Sequence, residues 1–132
     1  MYLLDTNVIS AARRTRRIAD WITRHDRTQL FISALTIGEV LGGARRLAGR
    51  DPAASASLER WLAQIRVDYS DRILDVDETV SLEWGRIAAI RTRGDVDGLI
   101  AATAIVHGLT VATRNVADFA DTGVPVVNPW EG

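Results

Sequence analysis

Apolar residues along this chain follow two rhythms. Short runs at Tyr2–Leu4, Leu30–Ile32, Ile73–Val76, Thr110–Thr113 and Val124–Val127 read as buried strands. Between them the apolar positions recur every three or four residues, the spacing of one helix face. The first such stretch runs from Thr6 to Arg13, with Asp5 or Thr6 at its N-cap, and the second passes through Ile18, Trp21 and Ile22 to about His25. Ser33 opens a helix over about Ala34–Leu47, with Leu35, Ile37, Val40, Leu41 and Ala44 on its apolar face. Its Gly42-Gly43 pair costs about 1 kcal/mol per glycine relative to alanine, which predicts a close backbone approach or a bend. Asp51-Pro52 starts a helix that carries Leu58, Trp61, Leu62 and Ile65 to about Arg66. Asp77 caps a helix expected to bury Val80, Trp84, Ile87, Ala88 and Ile90 and to stop at Gly94. Asp97 then caps a last helix through Val106, closed by Gly108.

Helices that alternate with short apolar strands predict an α/β fold, its mostly parallel sheet covered on both faces. The length, 132 residues, suits one domain over residues 1–132 that buries about two-thirds of its unfolded surface. In sheets of this kind ligands bind beyond the carboxyl ends of the strands. That edge is where chemistry is to be sought.

Four acidic residues fall there: Asp5 after the first strand, Glu39 and Asp97 on early turns of helices, and Asp118 just beyond the Thr110–Thr113 strand. Each has a structural explanation when taken alone. Asp5 and Asp97 suit N-caps, Thr36-Ile37-Gly38-Glu39 matches a capping box, and Asp118 suits a turn. Taken together they predict a cluster of negative charge. At an effective dielectric of about 20, two carboxylates roughly 4 Å apart repel by about 4 kcal/mol, so such a cluster calls for a counter-ion. A hard divalent cation that prefers oxygen ligands, Mg²⁺ or Mn²⁺, meets that need and points to phosphodiester hydrolysis.

Composition narrows the field. No cysteine is present, which removes disulfides, thiolate nucleophiles and cysteine–zinc sites and fits a cytoplasmic protein. No apolar run approaches the roughly 18 residues of a membrane span, and Met1-Tyr2-Leu3-Leu4-Asp5 reads as a first strand rather than a secretory leader. The net charge of −1 argues against a general polyanion binder. All 16 basic residues are arginine, and groups such as Arg13, Arg14, Arg16 and Arg17, or Arg45, Arg46 and Arg50, suit phosphate contacts as well as solvated helix faces. His25 and His107 sit near predicted helix C-termini, where the helix dipole favours them, so histidine-based catalysis is not expected.

Four segments, taken in order, resemble the PIN-domain ribonucleases: Leu3-Leu4-Asp5-Thr6-Asn7-Val8-Ile9-Ser10, Thr36-Ile37-Gly38-Glu39-Val40, Asp97-Gly98-Leu99-Ile100-Ala101-Ala102-Thr103-Ala104 and Val111-Ala112-Thr113-Arg114-Asn115-Val116-Ala117-Asp118-Phe119. Within that family the chain looks most like the VapC-type toxins of bacterial type II toxin–antitoxin pairs. The resemblance runs nearly the full length, to Asn128-Pro129-Trp130. It departs from the family at Gly94-Asp95-Val96-Asp97, where a longer loop usually precedes the third acid.

The resemblance implies a PIN-like three-layer α/β/α sandwich with four to five short strands. It also implies that Asp5, Glu39, Asp97 and Asp118 bind one or two Mg²⁺ or Mn²⁺ ions, directly or through water, with Asp118 the least certain ligand. Asn7, Thr113 and Asn115 are candidates to hydrogen-bond those carboxylates. The expected activity is endonucleolytic hydrolysis of RNA, transfer or ribosomal RNA among the candidates, to 5′-phosphate and 3′-hydroxyl ends. Expected partners are a VapB-like antitoxin, DNA only indirectly through that antitoxin, and a second copy of the chain. Most of the four tryptophans are expected in the core, with one or two on an interface. A stable-RNA processing nuclease would carry the same residues. A non-catalytic corepressor would tend to lose some of the acids, and all four are present.

Overall fold

The computed structural model describes residues 1–131. Five parallel strands form one sheet: β1 (Tyr2–Leu4), β2 (Leu30–Ser33), β3 (Ile73–Leu74), β4 (Thr110–Ala112) and β5 (Val126–Val127). Their order is β3-β2-β1-β4-β5, so the chain winds outward from β1 in one direction, then returns to β1 and winds in the other. β3 and β5 are each two residues long, shorter than their apolar runs suggested, because only the residues that pair with β2 and β4 are held in the ladder.

Side chains alternate across the sheet. Leu3 and Val111 face one core with Ile87, Ile100 and Phe119. Leu4 and Ala112 face the other with Val8, Ile18, Trp21 and Ile32. Helices α5 (Glu78–Ala88) and α6 (Asp95–His107) cover the first face. The second is covered by α1 (Thr6–Ala12), α2 (Arg16–Thr23) and α4 (Pro52–Asp68), with α3 (Ala34–Leu47) packed on α4. This is the three-layer sandwich expected. No helix among the described residues is long and apolar enough to cross a membrane.

Four details differ from the sequence reading. First, α5 ends at Ala88 rather than Gly94, and Ile90, expected in the core, is 45% exposed. Second, Arg91 and Arg93 turn to Asp121, and Gly94 becomes the N-cap of α6, so the short loop before Asp97 is absorbed into the first turn. Third, α3 runs unbroken through Gly42-Gly43, and a Cβ at either position would meet nothing closer than an Arg46 guanidinium nitrogen at 3.4 Å. The pair is therefore neither a close approach nor a break. Fourth, only Trp21 of the four tryptophans is buried; Trp61, Trp84 and Trp130 are half-buried. All three still pack against the core clusters, as expected of most of them, and Arg13 stacks on the open side of Trp61 at 5.1 Å and Arg114 on that of Trp130 at 5.0 Å.

Candidate active site

The chain reverses its winding between β1 and β4, and a crevice opens at such a switch point beyond the strand ends. Asp5 follows β1 directly and is 5% exposed. Its backbone N–H donates to Ala112 O (2.9 Å), tying it to the end of β4, and its carboxylate caps α1 by accepting from Thr6 N–H at 2.8 Å. The cap and candidate-ligand readings of Asp5 therefore describe one residue with two roles, since capping engages Oδ1 and leaves Oδ2 for other partners.

Oδ2 is held from the neighbouring strand. Thr113, fully buried, donates its hydroxyl to it at 2.8 Å. Asn7 Nδ2 lies 3.4 Å from the same oxygen and 3.3 Å from the Thr113 hydroxyl, while Asn7 Oδ1 accepts from Arg114 N–H. Asn115 takes part through its backbone, donating its N–H to Thr113 Oγ1 at 3.1 Å. The support expected of its side chain thus comes from its main chain.

Glu39 reaches the site from α3. The N-cap of that helix is Ser33, whose hydroxyl accepts from Leu35 N–H, so the capping box expected at Thr36–Glu39 does not form. With the helix already capped, Glu39 is free to accept a hydrogen bond from the Thr6 hydroxyl at 2.5 Å, and that hydroxyl lies 3.1 Å from the buried Thr36 hydroxyl. Thr6 was not among the residues singled out from the sequence. Its position beside Asp5 is the signal that marks it.

Asp97 is the third residue of α6, not its N-cap. The positive end of a helix favours an acid in the first turn as well as at the cap. Asp118 lies in a one-turn 3₁₀ segment, Val116–Phe119, packed against α6.

Electrostatics link all four. Burial first, and then repulsion from Asp97 and Glu39, raises the pKa of Asp5 above its ordinary value even though Thr113 and Thr6 pull it down. Burial again comes first for Asp97, with repulsion from Asp118 and Glu39 adding to it and Arg93 opposing. Each of the four acids thus feels at least one other. The donors are oxygens alone, the set a hard cation selects. Among the described residues, no three His, Cys, Asp or Glu side chains are arranged to hold a metal ion by themselves. A hard divalent cation such as Mg²⁺ or Mn²⁺ would suit these oxygens and would take its remaining ligands from water.

Comparison with known proteins agrees with this geometry. A family model described as PIN domain matches residues 2–124. This chain is a PIN-domain protein of the VapC/FitB type. It is 38% identical to Toxin FitB of Neisseria gonorrhoeae over 139 residues, covering 98% of this chain and 99% of that one. It is 34% identical to VapC ribonuclease Y4jK of Sinorhizobium fredii, covering 99% of each. A solved structure of FitAB bound to a DNA fragment superposes with a TM-score of 0.87 at 34% identity, over 98% of this PIN domain and 96% of that chain. The fold of this PIN domain and its sequence therefore lead to one family.

Proposed function

We propose that this PIN domain is a Mg²⁺- or Mn²⁺-dependent endoribonuclease, the toxin of a toxin–antitoxin pair, which hydrolyses RNA to 5′-phosphate and 3′-hydroxyl ends. The placement of Asp5 and Asp97 beside Glu39 and Asp118 at the switch point of the sheet carries the reading, because burial and repulsion from the neighbouring acids leave Asp5 and Asp97 short of positive charge. The relatives' names, a VapC ribonuclease and a FitB toxin, support the activity and the toxin role.

When bound, the cation supplies a water of lowered pKa and neutralises charge that builds on the phosphate oxygens. Asp5 and Asp97 would hold it, with Glu39 and Asp118 contributing directly or through water. Thr113 and Asn7 fix the free oxygen of Asp5, and Thr6 aims Glu39, so the carboxylates need little reorganisation when the cation and RNA arrive. A water nucleophile does not require the RNA 2′-hydroxyl. The chain's two histidines stay outside this chemistry: His25 Nδ1 pairs with Trp21 O at 2.7 Å and His107 ends α6.

The neighbour named FitAB bound to a DNA fragment supports a protein partner. A VapB-like antitoxin is proposed to cover the acids and to carry the pair to DNA, while the PIN domain itself pairs as a homodimer in the cytoplasm. Incubating the purified protein with total RNA, with Mg²⁺ or with chelator, and mapping new 5′ ends tests the activity. Metal-dependent cuts that vanish in Asp5→Asn support it; metal-independent cuts, or cuts retained in Asp5→Asn, reject it.

A further inference from the structure

An edge that gathers four carboxylates and is to receive a polyanion needs cations beside it. Arg91 and Arg93 approach the turn that carries Asp118, but both are engaged there. Each pairs with Asp121, and they donate to the Ala117 and Asp118 carbonyls. Arg114 lies on the same edge and is not engaged. It follows β4 directly after Thr113, the residue that holds Asp5. Its backbone N–H donates to Asn7 Oδ1 at 3.3 Å, and Asn7 Nδ2 lies 3.4 Å from Asp5 Oδ2. One amide side chain therefore separates the main chain of Arg114 from the buried carboxylate.

The Arg114 side chain is exposed, and among the described residues its guanidinium forms neither an ion pair nor a hydrogen bond. What fixes it is Trp130, whose ring centroid lies 5.0 Å from the guanidinium carbon. Trp130 is itself anchored. It is half-buried against the core face that α1 and α2 cover, and its backbone N–H donates to Asn128 Oδ1 at 2.9 Å. Stacking on an indole holds an arginine in place and leaves all five of its N–H donors unspent. Nor does its charge go to the acids. Thr113 and Thr6 are what pull the Asp5 pKa down and Arg93 is what pulls down that of Asp97, while Arg114 acts on neither. The guanidinium stands beside the acid cluster, not within it.

We propose that Arg114, held by Trp130 as its positioning residue, binds the RNA phosphodiester next to the one that is cut. The inference rests on the nuclease reading above. A planar guanidinium matches two phosphate oxygens at once, and a phosphate contact fixes the register of a strand without reading its bases. The cut linkage belongs to the acids and their cation, so a cation just outside them falls to its neighbour. Arg13 supplies an internal comparison. It stacks on Trp61 in the same way, but it is the C-cap of α1, the helix whose N-cap is Asp5, and so stands at the end away from the acids.

Kinetics on an RNA oligonucleotide that spans a mapped cut test the assignment. In Arg114→Gln, KM should rise about tenfold, the loss expected for one charge-assisted hydrogen bond, with kcat held within about twofold. Arg13→Gln should leave both unchanged. Two further oligonucleotides carry a neutral methylphosphonate at the linkage 5′ or 3′ of the cut. One of them should raise the wild-type KM about tenfold and should raise that of Arg114→Gln no further. Trp130→Leu should raise KM about threefold, the scale of an exposed cation–π contact, and add nothing in the Arg114→Gln background. A KM unchanged in Arg114→Gln overturns the assignment and leaves the guanidinium to a protein partner. An equal loss in Arg13→Gln, or methylphosphonate effects that are absent in wild type or undiminished in Arg114→Gln, overturns it as well. A further rise from Trp130→Leu in that background removes Trp130 as the positioning residue. If wild type cuts no RNA, the nuclease reading fails, and anisotropy of fluorescein-labelled oligouridine in Mg²⁺ decides the contact separately. Weaker binding in Arg114→Gln than in Arg13→Gln keeps Arg114 as a phosphate ligand, and equal binding in the two rejects it.

Discussion

Thr113 Oγ1 donates a 2.8 Å hydrogen bond to Asp5 Oδ2 across 108 residues of sequence, joining the ends of β1 and β4 inside the protein. Both residues are buried, so neither atom has bulk water as a substitute. The bond holds a carboxylate that also caps a helix, and its loss would affect fold and site together.

Thr113→Val keeps the shape of the side chain and removes the donor. A buried acceptor left unsatisfied costs about 1–3 kcal/mol, and the variant is expected to lose stability on that scale in denaturant titration. Cleavage should fall about 10- to 100-fold, the range for residues that orient metal-binding side chains. Thr113→Ser, which restores the hydroxyl, should recover most of both. If Thr113→Val matches wild type in denaturant and in cleavage, the bond has no role.

Asp97→Asn removes one charge from the cluster. In chelator the variant is expected to melt a few degrees above wild type, because the repulsion from Asp118 and Glu39 is gone. Mg²⁺ should raise the melting temperature of wild type more than that of the variant. An equal response to metal in calorimetry would remove Asp97 from the ligand set.

The raised pKa values of Asp5 and Asp97 set a direction for pH dependence. A carboxyl that holds its proton more tightly folded than unfolded stabilises the fold at low pH. That contribution is lost as pH rises from the ordinary value of 3.8 through the raised folded value. Over that window in chelator, wild type should lose stability relative to Asp97→Asn, and Mg²⁺ at neutral pH should restore it. Melting curves that differ between the two proteins by the same amount at every pH would contradict the coupling.

Replacing the nucleotide 5′ to the cut with its 2′-deoxy form discriminates between nucleophiles. Cleavage by a metal-supplied water should continue, with 5′-phosphate and 3′-hydroxyl ends. Complete loss of cutting at the substituted position would mean that the 2′-hydroxyl attacks.

Much of this protein is legible in the residue order, because local rules govern it. The Ser33 and Asp77 caps and the Gly108 stop depend on neighbours within a turn or two, and each falls where the pattern predicts, whereas α5 ends before the predicted Gly94. The four acids stand out for the same reason, since each lies at the end of a strand or in the opening of a helix.

What the order of residues leaves open is which partner each group finds. Glu39 is a plausible capping residue until α3 proves to be capped by Ser33, and it then accepts from a hydroxyl of α1. Arg91 and Arg93 read as parts of a helix end. Only with the chain folded do they meet Asp121 and the carbonyls of the turn that carries Asp118. Periodicity records which side of an element is apolar, whereas contact between elements depends on strand order. Here that order brings β4 beside β1, and with it the site.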